Sequence, residues 1–405
     1  MRILLLTQWF EPEPHLKGLS FARALQERGH AVQVLTGFPN YPGGRVYPGY
    51  RIRLWQRECI EGIPVLRVAL YPSHSGSALG RTLNYVTFAL SAALLGLFLT
   101  RRVDVVHVYH PPPTVGLAAM VLKYLRGARF VYDVQDLWPD TLPATGMVRN
   151  RLVLNLVERW CRLLYSAAAR IVVLSPGFKA RLVERGVPAT KVSVVYNWAR
   201  SVPEGQAAGP ADPRLDGRFV VLFAGNLGAA QGLETVLESA RILLARDPAV
   251  CFAFLGSGVM EQRLRELALE WGLTNTVFLG RRPSTEVGAF LQRADALLVH
   301  LRPEPLFQIT IPSKTQDYLA AGRPILMGVA GDAARLLAEA GAGFAFEPGK
   351  PASLAHAVQR LRSLSPQARA ALGEAGRRFY DEHLCLATGI AAFEQEFEAA
   401  VGSRG

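Results

Sequence analysis

The sequence predicts an α/β chain made of two doubly wound, parallel-sheet domains. Three observations carry this reading. Short continuous runs of β-branched and apolar residues alternate with helical segments along almost the whole chain, the pattern of strands covered on both faces. The alternation stops once, at 200–217 (RSVPEGQAAGPADPRLDG), then restarts. That stretch is rich in Pro, Gly and Ala and poor in large apolar residues, which marks an interdomain linker. The length, 405 residues with 50% hydrophobic and 19% charged, suits two cores and excludes a disordered chain.

The first strand is expected at 3–7. Its apolar run is too short, and too soon followed by Glu11 and Glu13, for a secretory leader. Further strands are expected at 32–36, 65–69, 104–109, 129–132, 171–174 and 192–195, with helices at 16–29, 113–125 and 152–168. The second series has strands at 219–224, 250–255, 276–279, 296–299, 324–327 and 343–346. Helices at 233–245, 259–271, 285–292 and 313–321 separate them. The tail 351–401 reads as helical. The expected organisation is a first domain at 1–199, the linker at 200–217, a second domain at 218–384, and a C-terminal helix at 385–405 that packs back on the first domain. Both domains are Rossmann-like and are expected to face a cleft, because such sheets bind ligands beyond the carboxyl ends of their strands.

The formal charge of +12 is one-sided: residues 1–200 carry +14 and residues 201–405 carry −2. A preference for Arg over Lys (39 against 6) explains the choice of residue but not the asymmetry. The first domain is therefore expected to meet an anionic partner. Nucleic acid is disfavoured, since the basic residues are dispersed and form no recognition motif. Residues 82–100 (TLNYVTFALSAALLGLFLT) carry no charge and are flanked by Arg81, Arg101 and Arg102. They are long enough to span a bilayer. The strand at 104–109 follows at once, however, and must share a sheet with the strands before it. A packed or half-inserted interfacial helix against anionic headgroups is favoured over a true span. Four widely spaced cysteines suggest neither a disulfide framework nor a zinc site, and fit a reducing, cytosolic compartment.

Candidate site residues lie at the strand ends. Trp9 follows the first strand, and Gly18 opens the first helix, either as a phosphate-binding amide or as a plain loop glycine. His110 follows the strand at 104–109, either as a reacting group or as a structural histidine. Asp136 lies in VQDLWPD with Trp138 and Pro139. It is placed to accept a proton from a sugar hydroxyl or to orient one, and helix capping is the alternative. Asn197 follows the last strand of the domain as a further sugar contact. In the second domain, FAGNLGAAQG places Gly225, Asn226, Leu227 and Gly228 at a phosphate-type turn. Gly256, Gly280, Arg281 and Arg282 sit at the next two strand ends. IPSKTQDYLAAGRPIL puts Lys314 at a helix N-terminus, against the helix dipole, a placement that makes sense with an anion between the two charges. The alternative is a solvated surface lysine. Asp317, one turn on, is suited to a ribose diol. No DxD pair is present, so no metal site is expected.

These segments, together with FARALQERGHAVQVLTGFPNYPGGRVYPGYR and VVLSPGFKARL, resemble the GT-B glycosyltransferases of family 4 over nearly the whole chain. The resemblance is to the bacterial O-antigen and capsule branch, which includes N-acetyl-L-fucosamine transferases. It implies a retaining transfer, without metal or other cofactor, from a UDP-sugar held by the second domain. The acceptor implied is a polyprenyl-diphosphate-linked saccharide held by the first domain, at the cytoplasmic face of an anionic membrane. The family's two glutamates would fall at Ile309 and Asp317, and its Arg and Lys on the diphosphate at Asn226 and Gln231. Three of these four positions have lost their charge. Lys314 and the Gly225–Gly228 amides are expected to take over the diphosphate, with Arg281 or Arg282. Nucleotide-sugar 2-epimerases and non-catalytic nucleotide-sugar binders share the architecture and stand as alternatives.

Overall fold

Two parallel sheets organise the chain. The computed structural model describes residues 1–73, 78–144, 148, 150–199 and 212–402. Most of the expected linker (200–211) and the last residues of the expected C-terminal helix (403–405) lie outside the described residues. The chain divides into Met1–Tyr196 with Gly389–Gly405, and Asn197–Thr388.

The first unit contains β1 (Arg2–Leu6), α1 (Leu19–Glu27), β2 (Ala31–Gly37), β3 (Trp55–Ile60), β4 (Ile63–Val68) and α2 (Ala78–Leu99). It continues with β5 (Val105–His110), α3 (Gly116–Arg126), β6 (Arg129–Val134), α4 (Thr141–Ala144), α5 (Arg151–Ala167), β7 (Arg170–Val173), α6 (Pro176–Glu184) and β8 (Val192–Val194). The strand order is β3-β4-β2-β1-β5-β6-β7-β8. β1 lies between β2 and β5 and is buried from Ile3 to Leu6. Local chemistry sets the helix ends. Asn150 accepts hydrogen bonds from the Leu152 and Val153 amides at the start of α5, and Ser175 caps α6 ahead of Pro176.

β3 is an element the sequence reading did not anticipate, and it is antiparallel to β4. Its exposure alternates along WQRECI, as on an edge strand open on one face. Glu61 and Gly62 both have positive φ (45° and 83°), the backbone of a two-residue hairpin turn. α2 is long and apolar enough to cross a membrane by length and composition. Yet β4 before it and β5 after it join one sheet through β2 and β1, so α2 lies along the sheet as an expected crossover helix. Phe88, Ala89, Ala92 and Ala93 are buried, while Leu79, Leu83, Val86, Leu90, Leu94 and Phe98 are exposed.

The second unit runs β9 (Phe219–Ala224), α7 (Glu234–Arg246), β10 (Val250–Leu255), α8 (Glu261–Glu270), β11 (Thr276–Gly280), α9 (Ser284–Arg293) and β12 (Ala296–His300). It ends with α10 (Pro305–Gln308), α11 (Lys314–Ala321), β13 (Ile325–Gly328), α12 (Asp332–Ala340), β14 (Gly343–Ala345), α13 (Pro351–Arg362) and α14 (Pro366–His383). Its all-parallel order is β11-β10-β9-β12-β13-β14. The core includes Val221, Phe223, Leu237, Phe252 and Leu298. The final helix, α15 (Leu386–Gly402), packs on the first unit. There Phe393 sits 5.3 Å from the rings of both Phe21 and His107, and Arg28 and Arg170 pair with Glu394 and Glu396.

Beneath α15 lies a fully buried ion cluster. Lys17 Nζ donates to Asp133 Oδ2 at 2.7 Å, and the His107 ring nitrogen lies 3.2 Å from the same oxygen. Burial pushes the Asp133 carboxyl up, but Lys17 and the His107 hydrogen bond outweigh it and hold it at about 2. Burial lowers the pKa of both Lys17 and His107 despite the carboxylate between them. The cluster costs desolvation that only the full set of partners offsets. Lys17→Met should therefore destabilise the protein by about 3–5 kcal/mol in urea denaturation; a loss under about 1 kcal/mol would show that the ammonium is not what holds the carboxylate.

Candidate active site

In the second unit the turn after β9 approaches the start of α11. The Lys314 side chain runs across the buried Phe223 ring, its Nζ 3.5 Å from the ring centroid. A methyl group on Gly225 would lie only 3.2 Å from that Nζ. Nζ is buried and has no hydrogen-bond partner among the described residues. Burial lowers its pKa to about 7, against a smaller pull upward from Asp317. An ammonium at a helix N-terminus, desolvated and without an acceptor among the described residues, is electrostatically unfavourable.

The turn itself is less available than the sequence suggested. The Gly225 amide donates to Leu255 O at 2.8 Å, that of Leu227 to Ser257 O at 2.9 Å, and that of Gly228 to Gln231 Oε1 at 3.1 Å. Three of the four amides expected on a phosphate are thus committed to the fold. Among the described residues, the Asn226 amide has no partner, and Asn226 is exposed. Gln231, at the position where the resemblance places a lysine, folds back to brace the turn. Gly256 also has a packing duty: a Cβ there would lie 1.9 Å from Gly225 O. Its φ of 141° further requires glycine. Gly280 accepts the Gly256 amide through its carbonyl oxygen at 2.9 Å. Arg281 is exposed, whereas Arg282 turns toward Phe290 and Glu286 on α9. Asp317 is half-buried, not exposed as expected.

In the first unit a second group of side chains gathers at the carboxyl ends of β1, β2, β5 and β6. Trp9 and Tyr41 pair with ring centroids 4.8 Å apart. Glu13, buried, accepts the Asn40 and Tyr41 amides at 2.7 Å each and that of Phe10 at 3.2 Å, tying the two loops together. Asn84 on α2 bonds to Gln8, Asn40 and the Tyr71 carbonyl. Tyr85, next along, feels Arg81, Tyr41 and Asp136 electrostatically. Tyr41, Tyr85 and Glu13 were not singled out from sequence. Only the loop and helix positions they occupy, not their types, could have marked them.

His110 is buried between Tyr132 and Trp138, its ring 5.7 Å and 6.0 Å from theirs. Neither ring nitrogen has a hydrogen-bond partner among the described residues, and burial lowers the pKa to about 3. The imidazole is neutral near pH 7, a weak base with one N–H donor and one acceptor nitrogen free to contact a hydroxyl. Among the described residues Asp136 caps no helix, and burial raises its carboxyl to about 6. Asp140 is occupied by Arg181 and Arg185. Gly18 is the clearest correction: the Leu19 amide donates to Glu11 Oε1 at 2.8 Å, and a Cβ on Gly18 would collide with that carboxylate. The protein's own carboxylate fills the place expected for a phosphate. Asn197 falls in the second unit.

Comparison with known proteins decides the family. Residues 19–198 match a glycosyl transferase 4-like domain, and residues 210–379 match the group 1 glycosyl transferases. The probable glycosyltransferase WbjE of Pseudomonas aeruginosa is 30% identical over 65% of this chain and 67% of its own. WcaI of Escherichia coli (strain K12), named as a colanic acid biosynthesis glycosyl transferase, is 30% identical over 74% of this chain and 75% of its own. The chain belongs to the group 1 glycosyltransferases. Solved structures agree on the fold. Anabaena HepE in complex with UDP superimposes with a TM-score of 0.67 at 16% identity, covering 98% of this chain and all of HepE. An α,α-trehalose-phosphate synthase of Burkholderia vietnamiensis gives 0.71 at 16% identity, covering 98% and 99%. Both sheets of this glycosyltransferase are thus of the GT-B type.

The raised Asp136 carboxyl makes the glycosyltransferase testable by pH. To accept a proton it must be ionised, so activity should fall as pH drops through about 6. Asp136→Asn should lower kcat by about 10²–10⁴-fold and abolish that acid limb. A limb that survives the substitution would assign it to another group.

Proposed function

We propose that this glycosyltransferase moves a sugar from a UDP-activated donor, held by the second unit, to a lipid-linked saccharide held by the first, in the making of a cell-surface polysaccharide. The observation that carries the donor half is Lys314, a buried ammonium without a partner beside the Gly225 turn. As the bond from the sugar's anomeric carbon to the diphosphate oxygen loosens, charge accumulates on the leaving group. A fixed ammonium in a desolvated position stabilises that charge best. In this reading Lys314 and the Asn226 amide stand in for the missing Arg and Lys, so no metal is required, and Asp317 holds the ribose. The acceptor hydroxyl gives its proton to Asp136 or to the departing phosphate, with retention of configuration as the family resemblance implies. An N-acetylated amino sugar of the fucosamine type is the donor that resemblance favours. HepE was solved with UDP and the relative WcaI is named for colanic acid biosynthesis, which supports both donor class and pathway class. The cationic first half and the exposed stripe of α2 support work at the cytoplasmic face of an anionic membrane.

Lys314→Ala should weaken UDP-sugar binding at least about tenfold in calorimetry; unchanged affinity would remove Lys314 from the site. The anion selects the protonated lysine, so binding should take up a proton above pH 7. Wild-type affinity should then fall by up to about tenfold per pH unit beyond the lowered pKa, and the Lys314→Ala protein should lose this dependence. An epimerised sugar nucleotide formed from donor alone would contradict transfer.

A further inference from the structure

The turn after β9 has a cation at each end. Lys314 stands at its start, over Phe223 and beside Gly225. Arg302 stands at its close. β12 runs parallel to β9 as its neighbour, with Leu297 opposite Leu222, so both strands deliver their carboxyl ends to one edge of the sheet. Just past β12, the Arg302 amide donates to Ala230 O at 2.9 Å. The side chain then crosses Gly232, where a Cβ would lie 3.0 Å from Arg302 Cγ. Gly232 also has a φ of 56°, which favours glycine for a second reason.

His300, buried, fixes the backbone under this end of the turn. Its Nδ1 donates to Gln231 O at 2.6 Å, and its Nε2 accepts the Gly349 amide at 3.3 Å. A carbonyl on one side and an N–H on the other allow only the tautomer protonated at Nδ1. The Arg302 backbone is thus held, but its guanidinium is not. Its one ion pair among the described residues is with Glu234, the first residue of α7, and Nη2 lies 3.8 Å from Glu234 Oε1. That is beyond hydrogen-bond distance. The two side chains are 46% and 31% exposed, and a loose pair in contact with water is weak. Glu234 is well placed at the helix start whether or not Arg302 stays with it. A phosphate, which takes an arginine through two parallel N–H···O bonds, is the stronger acceptor.

We propose that Arg302 is the second cation of the donor site: it leaves Glu234 and grips the diphosphate as a fork, across the β9 turn from Lys314. This assignment rests on the donor reading above and extends it. Each phosphate of a sugar nucleotide carries a negative charge, and more charge gathers there as the sugar departs. Lys314 supplies one compensating charge and Arg302 supplies another. Glu234 competes with the donor for the same guanidinium and so limits how tightly the nucleotide is held. Removing a structural ion pair weakens binding from either side, whereas removing a competitor strengthens it.

The test titrates the whole chain with UDP and with uridine by calorimetry. Wild-type protein should hold UDP more tightly than uridine. Arg302→Gln should weaken UDP about tenfold and leave uridine unchanged, and Arg302→Lys should restore part of the loss. Glu234→Gln should tighten UDP about threefold, and should do nothing when added to Arg302→Gln. If Arg302→Gln keeps the full preference for UDP over uridine, the Arg302 assignment falls and Lys314 is untouched. If Glu234→Gln weakens UDP as Arg302→Gln does, or if uridine is lost along with UDP, the pair is a structural brace and the proposal fails. Wild-type protein that holds UDP no better than uridine would remove the donor reading itself.

Discussion

One ammonium without an acceptor organises the second unit's site. Lys314 gives up water, stands where a helix dipole repels it, and receives from the Phe223 ring only part of the compensation. Everything near it is arranged so that this cost persists. Gly225 leaves the space over Nζ open, Gly256 lets the two strand-end turns close up, and Gln231 uses its amide on the turn. In the function proposed here, this one positive charge serves the leaving diphosphate in place of the charges the family resemblance implies at Asn226 and Gln231.

The first unit solves a different electrostatic problem. It buries Lys17, Asp133 and His107 together, and Glu13 under three amides. These groups hold loops in place; Asp136 and Tyr85 remain half-exposed. The division is physical. Burial raises both carboxyls, Glu13 to about 7 and Asp136 to about 6, but three backbone amides hold Glu13 in place whereas desolvation alone acts on Asp136.

Much of this was legible in the sequence. Continuous apolar runs marked the central parallel strands, such as β1, β9, β10 and β12, because strands buried on both faces carry no other pattern. Lys314 was legible because a lysine at a helix start is out of place. β3 was missed because an edge strand with alternating exposure resembles loop, and its Glu61–Gly62 turn is short. Gly18 misled for another reason. A helix N-terminus accepts any carboxylate, and nothing in the local sequence shows that Glu11 comes back to fill it. The spent amides of the Gly225 turn depend on Leu255 and Ser257, partners set by tertiary packing. Tyr41 and Tyr85 come from loops and helices far apart in the chain, so no spacing could pair them.

α15 has a consequence for how the protein is made. Its phenylalanines close over His107 and Phe21, and its glutamates neutralise Arg28 and Arg170. The ribosome delivers these residues only after the entire intervening unit. Until then the earliest-synthesised sheet has an open flank, with a buried charge cluster lacking its roof. The nascent first half therefore stays incomplete until α15 has been made.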